Sequence, residues 1–490
     1  MKTLCIYDNH IKPNVFIKNI IGEKSFGEVI LKRKSIKSNF FGFLNKETLV
    51  DEVLVFDYDW QLSGILEKLR AYGKDTHVIH FFSQFVVQDE DAGRVLFQKV
   101  PYIIGNYLCL TYQSVPFAFM MDNMTDYCDF MKYAGSSLDD IQVYSKYNYI
   151  FETISANAFY NVGDHGNFLQ YISGGFDTRF FNSVKGDEYV VTKSSQDKKK
   201  ISAEYHFFHL LPDYMKMWFV MPYNYQETEA FASYDMERYH MTDLAIRWVH
   251  GAINLEEMDK LLTKAFRFIN TRQKMEISEF QYNEIESEIY LQKLDERMEK
   301  LKSHEAYDLF RSYVSAGTVY ADIDAIVSRY KTLYREITGG MDKQFYSVIG
   351  HGDLCFSNML FNKETDLLKL IDPKGAVDES GLWTNPYYDI AKLSHSICGK
   401  YDFFNNGLFS IQLDQDLEFK LIIDFDNCEF KRVFKRYVEE SGYSYEAVRI
   451  YEVSLFLSML PLHMDNPQKV FGFILNALEI MEEIETCMRK

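Results

Sequence analysis

Residues 348–375 constrain the fold of this chain most strongly, because apolar runs in this segment lead directly into acidic and amide side chains. The first apolar run leads into His351-Gly352-Asp353, and Asn358 follows five residues after the aspartate. A second apolar run ends on Asp372. Short apolar runs bounded by turn residues are typical of strands. The pattern therefore predicts two neighbouring strand ends that bring three oxygen-bearing side chains together.

Side chains of this kind, in this order, suit phosphoryl transfer from a metal-bound nucleotide. The transferred group carries negative charge spread over its oxygens, so a protein mainly positions the reactants and neutralises charge. Asn358 offers an amide oxygen and Asp372 a carboxylate, and Mg²⁺ prefers such hard oxygen donors. Asp353, not bound to the metal, is placed to orient an attacking hydroxyl and to accept its proton. The alternative is a hairpin-like turn with incidental acids, which the flanking His-Gly and Ile-Asp-Pro sequences disfavour.

This segment resembles the kinase-like phosphotransferases that act on small molecules, a group that includes aminoglycoside phosphotransferases, choline kinases and fructosamine kinases. Residues 351–358 are similar to their catalytic loop, and Ile371-Asp372-Pro373 is similar to the end of their metal-binding strand. Over about residues 167–490, the resemblance implies a bilobed protein-kinase-like α+β fold with a five-stranded N-lobe and a mainly helical C-lobe. It also implies ATP and Mg²⁺ as cofactors, Asp353 as the catalytic base and His351 as a support of the loop geometry.

The residues upstream of the loop predict the smaller lobe. Five strand-like runs cover residues 168–172, 179–184, 188–192, 218–221 and 231–236. Lys193 ends the third run, at the position where the fold it resembles places the lysine that contacts nucleotide phosphates. Glu204, in a helix predicted over residues 199–211, could pair with this lysine. The alternative is that Lys193 is one of several surface lysines.

Two further parts of a nucleotide site are predicted from position. Gly174 and Gly175 form a turn whose backbone N–H groups could approach phosphates closely, although most such turns are plain hairpins. Met236 and Tyr239 lie in a predicted hinge whose backbone could bind adenine, and packing of the lobe is the alternative role of Tyr239 and of the nearby Tyr234. In the families that the chain resembles, an aspartate in the position of Asp389 braces the catalytic loop, and a helix N-cap is the compatible alternative.

The predicted domains are residues 1–165, residues 166–240 (the N-lobe) and residues 241–490 (the helical C-lobe with the catalytic loop). In the first of these, strands are predicted over residues 4–7, 53–56 and 77–82, and a helix over residues 60–72. This strand–helix–strand order predicts a small α/β domain. Its role stays open between docking, dimerisation and a degenerate enzyme. Asp57 and Asp59 are a possible metal-binding pair of a nucleotide-sugar-dependent transferase, but acids at a strand-to-helix turn more often cap the helix.

Composition excludes several classes of function. The formal net charge of −18 argues against a general nucleic-acid binder, which would need a basic face. The scattered cysteines favour reduced thiols, and no apolar run reaches the roughly 18 residues that span a bilayer, so a cytoplasmic protein is expected. The oligomeric state stays open.

The function predicted from these features is ATP- and Mg²⁺-dependent phosphorylation of a hydroxyl of a small molecule, either a sugar or an amino alcohol. A setting in surface polysaccharide biosynthesis is suggested by analogy alone. An acidic pocket would suit a cationic acceptor such as choline. The rival hypotheses are a nucleotide-binding regulatory module without turnover, a transferase activity of the first domain, and a protein kinase, against which the absence of His-Arg-Asp and Asp-Phe-Gly sequences argues.

Overall fold

The computed structural model describes residues 2–45, 47–57, 62–135, 137–138, 140–146, 150–172, 182–186, 189–415 and 417–489. The chain divides into two units by its internal contacts, unit 1 (residues 1–176) and unit 2 (residues 177–490). The predicted turn with Gly174 and Gly175 lies outside the described residues, as does Asp59.

Unit 1 is built from short strands and helices that alternate along the chain. Its strands are β1 (Lys2–Asp8), β2 (Ile30–Leu31), β3 (Lys34–Ser35), β4 (Glu52–Phe56), β5 (Thr76–Phe82), β6 (Phe85–Val87), β7 (Asn106–Leu110), β8 (Pro116–Met121), β9 (Phe151–Ser155) and β10 (Phe159–Asn161). Its helices are α1 (Val15–Ile21), α2 (Ile36–Leu44), α3 (Leu62–Arg70), α4 (Glu90–Lys99), α5 (Met124–Ala134), α6 (Ile141–Lys146) and α7 (His165–Ile172).

Six of these strands form one mixed sheet in the order β4-β1-β5-β8-β7-β9. β1 pairs in parallel with both β4 and β5, as the strand–helix–strand pattern predicts, whereas β8 runs antiparallel to β5 and β7. Every residue of the central strand β5 is buried. A strand covered on both faces reads as a continuous apolar run, and this is why residues 77–82 stand out in the sequence.

The smaller part of unit 2 is an antiparallel sheet with one long helix. Its strands are β11 (Asn182–Gly186), β12 (Val190–Ser195), β13 (Pro222–Glu227) and β14 (Ala232–Glu237), and its helices are α8 (Lys198–Leu210) and α9 (Asp213–Lys216). The strand order is β11-β12-β14-β13. Within the described residues the sheet therefore has four strands, where five were predicted.

Two of the predicted strands are wrong. Residues 168–172 belong to helix α7. Phe168 and Ile172 are four residues apart, so they lie on one face of this helix, and both are buried. Residues 218–221 do not join the sheet, because their hydrogen bonds go elsewhere: Val220 N–H donates to Leu370 O (3.1 Å) and Leu370 N–H to Trp218 O (2.8 Å). Lys193 also lies inside β12 and not at its end.

The rest of unit 2 is mainly helical. Its helices are α10 (Leu244–Val249), α11 (Leu255–Thr271), α12 (Glu279–Ser287), α13 (Lys293–Lys302), α14 (Tyr307–Gly317), α15 (Ile323–Gly339), α16 (Tyr388–Ile397), α17 (Tyr401–Asn405), α18 (Cys428–Glu440), α19 (Tyr445–Ser458) and α20 (Pro467–Met488). Its strands are β15 (Lys274–Glu276), β16 (Tyr346–Ile349), β17 (Met359–Asn362), β18 (Leu367–Leu370), β19 (Trp383–Thr384), β20 (Ser410–Leu413) and β21 (Phe419–Ile422).

Helices α11, α15, α16, α19 and α20 supply much of one large apolar core in unit 2. The strands β16, β17 and β18 lie against this core, and the turns between them carry the motif residues. None of the described helices combines the length and the apolar character needed to cross a membrane.

Candidate active site

The turn after β16 holds its shape through a glycine and a histidine. Gly352 has φ +79°, and a Cβ at this position would lie 2.5 Å from Cβ of Lys374, so only glycine fits without a shift. His351 bonds through both ring nitrogens: Nε2 lies 2.9 Å from Ile371 O, and Nδ1 accepts from the N–H of Asp353 (3.1 Å). This arrangement requires the proton on Nε2. Both nitrogens are thereby used to hold the loop, which leaves neither to act as a base.

Asp389 on α16 holds the backbone of the same turn. Its carboxylate accepts from the backbone N–H groups of His351 (3.0 Å) and Gly352 (2.8 Å), and from Arg272 Nη1 (2.9 Å). The side chains of Asp389 and Arg272 are fully buried. The N-cap of α16 is Tyr387, so Asp389 does not cap this helix. The buried ion pair therefore fixes the backbone of the loop, and Arg272 is a part of it that the sequence reading missed.

Asp353 points its carboxylate between a lysine and an amide. Oδ1 lies 2.9 Å from Lys392 Nζ, and Oδ2 accepts from Asn358 Nδ2 (3.1 Å). Burial raises the pKa of Asp353, but the charge and hydrogen bond of Lys392 outweigh it and lower this pKa overall. Asp353 is therefore ionised at neutral pH, the state that a proton acceptor needs.

Lys392 was not predicted, although the sequence carries a signal for it. It follows Asp389 by three residues on α16, and side chains three apart lie on the same side of a helix. A helix that braces the loop with one residue therefore presents the other to the same loop.

Asn358 and Asp372 are placed as a pair of oxygen donors. Asn358 uses Nδ2 to hold the carbonyl (2.9 Å) and the carboxylate of Asp353, and its Oδ1 has no hydrogen bond within the described residues. The N–H of Ile371 donates to Asn358 O (3.0 Å), which ties the two segments together. Asp372 has φ +55°, a left-handed conformation uncommon outside glycine, and its side chain is 42 % exposed. The two residues thus fit a Mg²⁺ ion that keeps several waters and phosphate ligands.

Lys193 joins this site to the smaller sheet. Its Nζ lies 2.7 Å from Glu204 Oε2 on α8 and 2.7 Å from Asp372 Oδ1, and its side chain is 7 % exposed. The hydroxyl of Tyr234 donates to Glu204 Oε2 (3.0 Å). Burial lowers the pKa of Lys193, but the carboxylates of Asp372 and Glu204 outweigh it and raise this pKa. The alternative of a surface lysine is wrong for Lys193.

The side chains of the two predicted hinge residues have different surroundings in the structure. Met236, on β14, lines a small cavity together with Glu204 and Asp372. The ring of Tyr239 instead faces Lys369, whose Nζ lies 5.7 Å from the ring centroid. In unit 1, Asp57 Oδ1 accepts from Asn9 Nδ2 (3.1 Å). The described residues contain no group of three or more His, Cys, Asp or Glu side chains that could hold a metal ion.

Two cavities flank Asp353. One, of about 320 Å³, is lined by Asp353, Asn358, Asp372 and Lys392 among others. The other, of about 270 Å³, shares Asp353 and Lys392 with the first but is lined by neither Asn358 nor Asp372. Asp353 therefore borders a cavity with oxygen donors for a metal-bound phosphate chain and a second cavity with space for another molecule.

Solved structures similar to this chain are kinase-like phosphotransferases of small molecules. An aminoglycoside phosphotransferase APH(4)-Ia, in a ternary complex with AMP-PNP and hygromycin B, is 11 % identical, with 62 % of this chain and 94 % of that chain covered and a TM-score of 0.35. A fructosamine-3-kinase candidate from Haemophilus somnus 129PT is 12 % identical, with 62 % and 90 % covered and a TM-score of 0.35. The streptomycin–ATP–APH(2")-IIa ternary complex is 14 % identical, with 61 % and 87 % covered and a TM-score of 0.33. Neither a protein-family model nor a curated protein matches the sequence significantly.

Proposed function

We propose that unit 2 transfers the γ-phosphoryl group of ATP, bound with Mg²⁺, to a hydroxyl group of a small molecule. The observation that carries this proposal is the position of Asp353. Its carboxylate is ionised, is oriented by Asn358 and Lys392, and lines two cavities, one of which is also lined by Asp372. A base between a nucleotide site and an acceptor site is what in-line transfer requires.

Each residue has one task in this reaction. The acceptor hydroxyl binds beside Asp353, which orients it and takes its proton as the oxygen attacks the γ-phosphorus and ADP leaves. Asn358 Oδ1 and Asp372 would hold Mg²⁺, which supplies charge neutralisation on the phosphates when it is bound. Lys193, oriented by Glu204, adds positive charge at the phosphates, and Lys392 offsets the charge of Asp353.

The other hypotheses have less support. A regulatory module without turnover has no need for an ionised Asp353 that faces a second cavity. A transferase activity of unit 1 stays a prediction, because Asp57 bonds to Asn9 and Asp59 lies outside the described residues. A role in surface polysaccharide biosynthesis and a cytoplasmic location also stay predictions.

The test is the substitution Asp353→Asn, which keeps the shape of the side chain but removes its basicity. We expect the turnover number to fall by about 10³-fold, since positioned bases contribute roughly 10²–10⁴-fold. The affinity for Mg²⁺ and AMP-PNP should change less than about threefold, because Asp353 is not a ligand of either. The turnover number is measured by ADP release with a panel of sugars, polyols and amino alcohols and their acidic derivatives. The affinity for Mg²⁺ and AMP-PNP is measured by titration calorimetry.

Asp324→Asn serves as the matched control, since Asp324 is an exposed aspartate that pairs with Lys302 on the surface of the same unit. It should behave like the wild type in both measurements. Failure of the wild type to bind Mg²⁺ and AMP-PNP, or undiminished turnover by Asp353→Asn, would contradict the proposal.

A further inference from the structure

We infer that the acceptor carries an acidic group, a phosphate or a carboxylate, in addition to the hydroxyl that is phosphorylated. This inference rests on the proposed function and concerns the second cavity beside Asp353. The cavity is lined by three cationic side chains, Lys293, Arg297 and Lys392, and by a single carboxylate, that of Asp353. A cavity with this lining favours an anionic acceptor over a cationic one such as choline.

The cation nearest the reacting carboxylate is already neutralised, but the other two are not. Lys392 pairs with Asp353 at 2.9 Å. Lys293 Nζ lies 3.5 Å from the hydroxyl of Tyr388 and 5.7 Å from its ring centroid, and neither Lys293 nor Arg297 pairs with a carboxylate within the described residues. Half-buried cations without a counter-ion cost free energy, and an anionic ligand removes that cost.

Other charged residues on the same helix do form ion pairs, unlike Lys293 and Arg297. On the same helix α13, Asp295 pairs with Lys331 (2.6 Å), and Lys302 pairs with Asp324 (2.9 Å). The chain as a whole has a formal net charge of −18, so carboxylates are abundant. A positive cavity in an acidic protein therefore marks a site that selects anions.

The position of Arg297 assigns this charge to the acceptor and not to the nucleotide. Lys293 lines both cavities, so the phosphates of ATP could satisfy it. Arg297 lines only the cavity away from Asn358 and Asp372. It lies four residues after Lys293 on the same face of α13. This helix directly follows a π-helical segment (Glu288–Gln292) of the kind that often occurs at functional sites. An arginine at this place can bind a phosphate or carboxylate with two hydrogen bonds.

The first experiment compares pairs of hydroxyl compounds that differ only in an acidic group. Suitable pairs are glycerol and glycerol 3-phosphate, glucose and glucose 6-phosphate, and glucose and glucuronate, with choline as a cationic member. The acidic member of a phosphorylated pair should have a kcat/KM at least tenfold higher, and Arg297→Gln should reduce this preference below about threefold. Equal or better use of neutral or cationic members, or an acidic preference that survives Arg297→Gln, overturns the inference.

The second experiment decides the question when no compound of the panel is phosphorylated. The enzyme is saturated with Mg²⁺ and AMP-PNP, so that the nucleotide side is filled, and inorganic phosphate is titrated as the probe. We expect the wild type to bind phosphate, and Arg297→Gln and Lys293→Gln to bind it at least tenfold more weakly. Lys300→Gln, on an exposed position of α13, is the matched control and should bind as the wild type does.

Absence of phosphate binding, or equal binding by Arg297→Gln, overturns the inference while the nucleotide affinity of the same samples stays intact. A sample that binds no Mg²⁺ and AMP-PNP instead contradicts the proposed function, so the two failures are distinguishable. Thermal melting of each variant shows whether its fold is preserved.

Discussion

The two units both place an aspartate at the carboxyl end of a strand, but they use it in opposite ways. Asp8 ends β1 in unit 1 and is completely buried. One of its oxygens accepts from His10 Nδ1 (2.6 Å) and the other from His80 Nε2 (2.7 Å). Asp372 follows β18 in unit 2, pairs with Lys193 through one oxygen, and leaves 42 % of its side chain exposed towards a cavity.

The difference separates a structural carboxylate from one that can bind a ligand. Burial raises the pKa of Asp8, but the hydrogen bonds of His10 and His80 lower it overall. Burial also lowers the pKa of His80, whose Nδ1 lies 2.8 Å from the hydroxyl of Tyr127. Both oxygens of Asp8 are used within unit 1, so this network contributes to stability and specificity. Asp372 pairs with Lys193 through one oxygen, and under the proposed function its other oxygen would face Mg²⁺.

The largest effect that tests this difference is expected for Asp372→Asn. The substitution removes a negative charge that would face Mg²⁺, so we expect turnover to fall by about 10³-fold and half-saturation to need at least tenfold more Mg²⁺. The free energy of unfolding should change by less than about 1 kcal/mol, because the side chain is partly exposed. Coupled assays of ADP release over a Mg²⁺ titration, with urea denaturation, measure these quantities.

Asp366→Asn is a closely matched control for this variant. Asp366 also has a left-handed backbone (φ +54°) and also pairs with a lysine, Lys264 at 2.8 Å, but it lies at the tip of the β17–β18 hairpin. It should leave turnover unchanged. An Asp372→Asn variant that is strongly destabilised yet active would show that Asp372 is a structural carboxylate like Asp8.

The next largest effect is expected for Asp8→Asn in unit 1. The amide NH₂ group would face one of two histidine donors, so we expect a loss of about 3 kcal/mol in the stability of unit 1. Amide hydrogen exchange of β1 and β5 should accelerate by about 100-fold, because local opening follows this free energy. The exchange of residues 351–358 and the rate of ADP release should stay unchanged.

Asp89→Asn is the control in the same unit, since Asp89 is an exposed N-cap of α4 and asparagine caps equally well. If Asp8→Asn left exchange unaltered and abolished an activity of the chain, Asp8 would belong to a second site, and the contrast between the units would be lost.

The sequence predicts those parts of the molecule whose local pattern determines their structure. Strand runs of β1, β4 and β5 and the loop at residues 351–358 could be predicted, because buried strands and turn residues leave local patterns. The run 168–172 could not, since a mostly apolar run of five residues fits a short strand or part of a helix equally well. Tertiary contacts, not local pattern, decided between them.

Charge partners are the part of the site that local patterns predict least. Asp353 and Lys392 are 39 positions apart in the sequence and meet because α16 lies against the turn that follows β16. Arg272 reaches Asp389 across a still longer separation. The positive character of the acceptor cavity depends on α13, whose position relative to the loop no motif specifies. The formal net charge of −18 does not predict the sign of the charge in one cavity.

A third aspartate, Asp402, extends the comparison, and the effect expected from its substitution is the smallest. Asp402 on α17 is as deeply buried as Asp8 but has no cation partner within the described residues, and its Oδ2 has no hydrogen-bond partner there. Burial raises the pKa of Asp402 to about 7, and the nearby Asp243 adds to this, although a hydrogen bond from Ser396 opposes it. Asp402, a buried carboxyl without a histidine or lysine, is therefore mainly protonated in the folded chain below about pH 7, where Asp8 is ionised.

This difference has a definite sign in the pH dependence of stability. Between about pH 4, where an unfolded aspartate titrates, and about pH 7, the folded chain holds a proton on Asp402 that the unfolded chain releases. Stability from this group is therefore present at low pH and is lost as the pH rises through that window.

Asp402→Asn imitates the neutral form, so its gain in unfolding free energy over the wild type should grow by about 2 kcal/mol from pH 5 to pH 8. Urea denaturation of both proteins at the two pH values measures this difference, and Asp243→Asn should shrink it by removing a like charge. Equal pH slopes in the wild type and Asp402→Asn would mean that Asp402 is ionised like Asp8, and that burial alone does not distinguish the two kinds of carboxylate.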